Sequence, residues 1–132
     1  MPEYHLDCSL AKETRHALDP FTLAYIEAAM WTLTDDDGAS LDYLGLHDLA
    51  PETIAQATED CRRFQATYRA DLEATDGEEA QHGHDFWLTR NRHGAGFWDR
   101  EYGAVGDRLT NAAHAEGEVE WYVGEDGMVY QS

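Results

Sequence analysis

The stretch LDPFTLAYIEAAMWTLT, residues 18–34, decides the fold. Asp19 stands ahead of Pro20, the side-chain acceptor and first-position proline that open a helix. Beyond Phe21 only Thr22, Glu27 and Thr32 interrupt an apolar surface that runs to Thr34. A helix apolar on nearly every side belongs in the centre of a domain. Residues 20–34 are therefore expected to form a central, buried helix.

Working outward, DDDGASLDYLGLHDLA (35–50) holds five acids, no base and two glycines, and reads as a loop. Pro51 then starts a second helix, because the residue before a proline avoids the helical region. Ile54, Ala57, Cys61, Phe64, Tyr68 and Leu72 recur at three- and four-residue steps and define its core-facing stripe, which should stop before Gly77. Glu59 and Arg63 are expected to pair across one turn. DFWLTR and GFWDR flank the glycine-containing NRHGAG, the pattern of a β-hairpin over 84–100. A third helix is expected over 104–116, ending at Gly117, and EVEWYV, GEDG and MVYQ predict a second hairpin. Residues 1–18 read two ways, as a short strand in which Tyr4, Leu6 and Cys8 alternate or as one or two helical turns capped by Ser9 and reaching Leu18, and are expected to be loosely ordered. The fold class is α+β: two long N-terminal helices plus an antiparallel sheet of two hairpins separated by a third helix.

A chain of 132 residues with 42% hydrophobic and 11% aromatic residues has the size and content of one domain, 1–132, with a real core. Cys8 and Cys61 lie far apart and read as buried thiols of a reducing compartment. No apolar run approaches a membrane span and no basic-then-apolar leader opens the chain, so a soluble cytoplasmic protein is expected.

Charge is the strongest compositional signal. Twenty-seven Asp and Glu face nine Lys and Arg, a formal net charge of −18. Protonating all seven His leaves the sign unchanged. Such an excess destabilises a compact state through self-repulsion and calls for a compensating partner or medium. It argues against nucleic acid and anionic membranes as partners and favours proteins that themselves bind nucleic acid. The acids form three base-free blocks: Asp35, Asp36, Asp37, Asp42 and Asp48; Asp71, Glu73, Asp76, Glu78, Glu79 and Asp85; and Glu116, Glu118, Glu120, Glu125 and Asp126. On a strand, Glu118 and Glu120 would share a face about 6.6–6.8 Å apart, roughly two phosphate steps of one DNA strand. Halophilic adaptation, an acid surface matched to high salt, is the competing account of the same composition.

Other constellations carry less. His82, His84 and His93, with Asp85 and Asp99, invite a metal site, since His82 and His84 would share a strand face; yet their spacing matches no recognised ligand motif. No metal or other cofactor is expected, and no catalytic residue. HGAG (93–96) lacks a nucleophile elbow to accompany it and reads as a turn. Phe86, Trp87, Phe97, Trp98, Trp121 and Tyr122 read as core and cross-strand packing rather than as a base-stacking platform.

The segments HDFWLTRNRHGAGFWDR (84–100) and GDRLTNAAHAEGEVEWYVGEDGMVY (106–130), with LDPFTLAYIEAAMWTLTDDDG (18–38) and DLAPETI (48–54), resemble a family of small acidic proteins encoded by bacteriophages and other mobile elements. The family pattern has Gly where this chain has Arg92, an aromatic at Glu116 and Lys at Met128. Within that family the chain is similar to anti-CRISPR proteins directed at type I, including type I-C, interference complexes. The resemblance implies a monomeric inhibitor in the host cytoplasm that covers a DNA-binding surface of the surveillance complex, and it brings no catalytic residues. Mimicry of DNA toward a restriction enzyme or nuclease is the alternative, and a small metal-dependent enzyme a more distant one.

Overall fold

The computed structural model describes residues 18–34, 44–93 and 96–132. Within them the order is α1 (Pro20–Trp31), a 3-10 turn (Leu46–Asp48), α2 (Pro51–Thr67), α3 (Arg69–Glu73), α4 (Glu79–Arg90), a 3-10 turn (Phe97–Asp99), α5 (Ala104–Glu116), β1 (Trp121–Val123) and β2 (Val129–Gln131). The mixed helix-and-sheet class stands. Its sheet, among the described residues, is one two-stranded antiparallel hairpin with Tyr122 opposite Tyr130.

α1 begins where its cap sequence puts it. The Asp19 carboxylate accepts from the Thr22 N–H at 2.8 Å, and Pro20 occupies the first turn. It ends at Trp31, short of Thr34, where the Thr32 hydroxyl turns back onto the Ala29 carbonyl at 2.9 Å. Phe21, Tyr25, Ile26, Ala28 and Ala29 are buried, as a central helix requires. One side escapes burial: Trp31 is 70% exposed and Glu27 lies on the surface with it.

The hairpin expected over 84–100 does not form. DFWLTR lies in α4, and GFWDR holds only the 3-10 turn. The helical reading hidden in the sequence is Gln81 to Arg90, in which His82, Asp85, Phe86 and Thr89 repeat at helical spacing and are buried. Trp87 and Leu88 are buried as well, because α4 is packed on more than one side. Burial all round erases the polar–apolar alternation that separates helix from strand, and packing overrides the β-preference of Phe and Trp. At its C-terminus the N–H of His93 reaches the Leu88 carbonyl at 2.9 Å and that of Arg92 reaches Thr89 at 3.1 Å. That is a Schellman cap with Arg92 in the left-handed region, φ 58°, where glycine is the usual occupant.

Among the described residues the α1–α4 crossing is the densest contact between elements. Gly83 makes it possible, since a Cβ there would lie 1.9 Å from the Phe21 carbonyl oxygen. Around it Phe64 stacks on Phe86 at 4.1 Å, and Trp87 meets Tyr25 at 5.3 Å and Trp121 at 5.2 Å, both edge-on. Of the six aromatics read as packing residues, Phe86, Trp87, Phe97 and Trp121 are buried, whereas Trp98 and Tyr122 face solvent.

α2 carries the expected stripe, with Ala57, Cys61 and Phe64 buried, and breaks at Tyr68 before α3 places Leu72 in the core. Cys61 is a free buried thiol whose pKa burial pushes well up; Cys8 lies outside the described residues. β2 docks on the start of α2, where Val129 O accepts from Ala50 N–H at 3.0 Å and from the Thr53 hydroxyl at 2.9 Å. No helix among the described residues is long and apolar enough to cross a membrane.

Candidate partner-binding surface

Blocks free of bases in sequence are not free of them in space. Asp85, wholly buried, is held by both nitrogens of Arg100 at 2.9 and 3.1 Å. Asp71 takes Arg108 at 2.9 Å, and Glu116 takes Arg63. The pair expected between Glu59 and Arg63 is replaced by Arg62–Glu59 and Arg63–Asp60, one residue closer along the helix. Asp60 is buried because Arg90, itself 3% exposed, donates to it at 2.9 Å. The same guanidinium donates to the Tyr25 hydroxyl at 3.0 Å, the Gly117 carbonyl at 2.8 Å and the Glu116 carbonyl at 3.1 Å. Arg90 thereby ties α1, α2 and α4 to the end of α5.

Arg62, Arg63, Arg90, Arg100 and Arg108 are thus committed to carboxylates of this chain. Two groups of what they leave behind come from the sequence blocks, while exposed Glu27, Glu52, Asp99, Glu101 and Asp107 lie outside both. Glu73, Asp76, Glu78 and Glu79 are exposed between the end of α3 and the start of α4. Glu78 occupies the N-cap position of α4 and Glu79 its first turn, where the positive end of the helix dipole favours anions. Glu79 also accepts from the Phe21 N–H at 3.4 Å.

At the other end of α4, Asn91 accepts from the Val119 N–H at 2.9 Å and fixes the segment that carries Glu118 and Glu120. Both glutamates are exposed, and both line an open groove of about 960 Å³ shared with Trp121, Tyr122 and His93. β1 starts only at Trp121, so Glu118 and Glu120 lie ahead of the strand rather than on it. Alternation nonetheless holds through half-buried Val119 and buried Trp121, and fails at exposed Val123.

Glu125 and Asp126 project from the β1–β2 turn. Asp126 is held: the Tyr130 hydroxyl and the Met128 N–H both donate to it and keep its pKa below the usual range. The same bond pushes Tyr130 up to about 12, and the charge of Glu52 adds to the effect. Glu52, exposed in the first turn of α2 where β2 docks, belongs to this anionic surface although it lies outside all three sequence blocks. Its only signal in the sequence was its place beside Pro51. Asp48 approaches from the same side, because Leu49 forms a parallel bridge with Val129. Its own carboxylate accepts from the Gly45 N–H at 2.7 Å with His47 beside it at 3.7 Å.

Helix α4 is about 18 Å long at 1.5 Å per residue, with the first group at its start and the Asn91–Val119 tie just past its end. The exposed block acids thus form two groups rather than one stripe. Asp35, Asp36, Asp37 and Asp42 lie outside the described residues.

The histidine reading does not assemble. Because residues 82 and 84 sit on a helix rather than a strand, they diverge. His82 is buried with Nε2 at 2.7 Å from the Thr75 hydroxyl, while His84 packs beside Trp31. Among the described residues no three His, Cys, Asp or Glu side chains converge as a metal site would need. No family model matches the chain, and neither a curated protein nor a solved structure matches it.

Proposed function

We propose that the protein is an acidic DNA mimic that binds the DNA-recognition surface of a type I interference complex and blocks its access to target DNA. One observation carries the reading. Five arginines are spent on internal ties, while Glu73, Asp76, Glu78 and Glu79 in one group and Glu118, Glu120, Glu125 and Asp126 in the other face solvent with no arginine bridge among the described residues. A surface so arranged attracts the Lys and Arg that otherwise contact phosphates, steering encounter and strengthening as the pairs lose water. Glu116 leaves the set, neutralised by Arg63, and Glu52 joins it. The choice of a type I complex rests on the sequence resemblance alone.

Competition tests it. The protein should displace a labelled target duplex from purified type I-C surveillance complex, with an apparent affinity that falls as salt rises. Retention of duplex at saturating protein refutes the assignment. Displacement from a restriction enzyme or nuclease instead would keep the mimicry and replace the target.

A further inference from the structure

The exposed side of α1 lies outside both groups of block acids. Trp31 is 70% exposed at the end of an otherwise buried helix. Tryptophan is highly buried on average and enriched where partners dock, so an indole left in solvent by a domain with an ample core is informative. Glu27 lies four residues earlier, on the same helix face as Trp31. Two shallow grooves flank this ridge: one of about 260 Å³ lined by Leu23, Met30, Leu44 and Leu46, the other of about 350 Å³ lined by Ala80, Gln81 and His84. Arg100, which also borders the second groove, is committed to Asp85.

We propose that Trp31 and Glu27 form an arginine-capture site, in which a guanidinium of the basic partner stacks on the indole and pairs with the carboxylate. The inference rests on the cationic partner proposed above and names the contact that gives it specificity. An indole face attracts a cation through its quadrupole, and the planar guanidinium stacks where a lysine ammonium does not. Charge complementarity extends past the pair, because Asp35, Asp36 and Asp37 follow Trp31 by four to six residues. A second copy of this chain is the poorer occupant, since each copy carries −18.

The test uses nona-arginine and nona-lysine peptides titrated into the full chain by calorimetry. Wild type should bind nona-arginine about five-fold more tightly than nona-lysine. Trp31→Ala should abolish that preference, Trp31→Phe should retain part of it, and Glu27→Gln should weaken arginine binding while lysine binding moves less. Because Trp31 is exposed, circular dichroism of the alanine variant should match wild type. Equal binding of the two peptides to wild type, with charge reversals at Glu118 and Glu120 still weakening both, overturns this inference and leaves the mimicry standing. Failure of both peptides to bind at low salt overturns the mimicry and this site with it. A Trp31-dependent dimer in sedimentation would assign the patch to self-association and overturn it too.

Discussion

Replacing Gly83 with alanine tests the architecture at its tightest point, and structure and helix propensity disagree on the sign. In an exposed helix interior the change should stabilise by about 1 kcal/mol. Here the new Cβ would meet the Phe21 carbonyl oxygen at 1.9 Å and its carbon at 2.7 Å, both of them backbone atoms of α1. An unstrained carbon–oxygen contact needs about 3.3 Å, so α1 and α4 must part locally by about 1.4 Å. Dispersion contacts lose a quarter to a half of their depth over a gap of about 0.5–1 Å. The Phe21–Phe86, Tyr25–Phe86 and Tyr25–Trp87 packings all cross this interface. Overpacking costs about 1–3 kcal/mol, and so rigid a site lies at the upper end. Net of propensity, Gly83→Ala should destabilise by about 2 kcal/mol, a fall of roughly 6–10 °C in Tm for a domain of this size. Urea unfolding followed by tryptophan fluorescence, with a thermal melt in parallel, measures it. An alanine variant as stable as wild type would refute the crossing geometry and with it the placement of α4.

Removing the guanidinium in Arg90→Met leaves Asp60 Oδ2 without its buried donor while Gln56 and Arg63 remain on Oδ1. It should cost about 3 kcal/mol, and the double variant with Asp60→Leu should recover much of it, as urea melts of the set decide. Arg92→Gly relieves a left-handed arginine in the α4 cap and should stabilise by about 0.5–1 kcal/mol, read as a rise in the urea midpoint at constant m. Reversing Glu118, Glu120 and Glu125 to Lys should weaken displacement of target duplex by about ten-fold or more while moving stability little, since surface changes are usually within ±0.5 kcal/mol. Burial lowers the His82 pKa below 6.5, so the unfolded chain takes the proton first. Its contribution is fully present above about pH 6.5 and is lost as pH falls toward the lowered value. His82→Gln should flatten the decline in Tm between pH 7 and 5.5.

Punctuation was legible in the sequence and packing was not. Asp19-Pro20, Pro51 and Gly117 mark ends of α1, α2 and α5 because caps act over one turn of local chain. The 121–131 hairpin was readable for the same reason, its GEDG turn being local. α4 was missed because its environment, not its composition, makes DFWLTR helical. The charge pattern failed in a related way. Arg100 reaches Asp85 across 15 residues, Arg108 reaches Asp71 across 37 and Arg63 reaches Glu116 across 53. Neutralisation at such separations is a property of the fold, invisible to a count of neighbours along the chain. The exposed glutamates survive this correction because no arginine bridges them among the described residues, although Arg69 borders one groove with Glu73 and Glu79.

Two accounts of the acid excess make opposite demands on salt. An acid surface adapted to high salt gains stability as screening relieves its repulsion and has no use for carboxylates held in one orientation. A mimic loses affinity over the same range, because screening weakens each pair with its partner. The geometry at the hairpin favours the second. Asp126 is fixed by Tyr130 and Met128 although the negative charge of Glu52 acts on the same tyrosine. These bonds stabilise the Asp126 charge in the isolated domain, and the fixed orientation also reduces the side-chain entropy lost when a cation arrives. Tyr130→Phe should therefore lower affinity for the cationic partner through a faster off-rate and leave the salt slope of binding unchanged, as measured by surface plasmon resonance across a salt series.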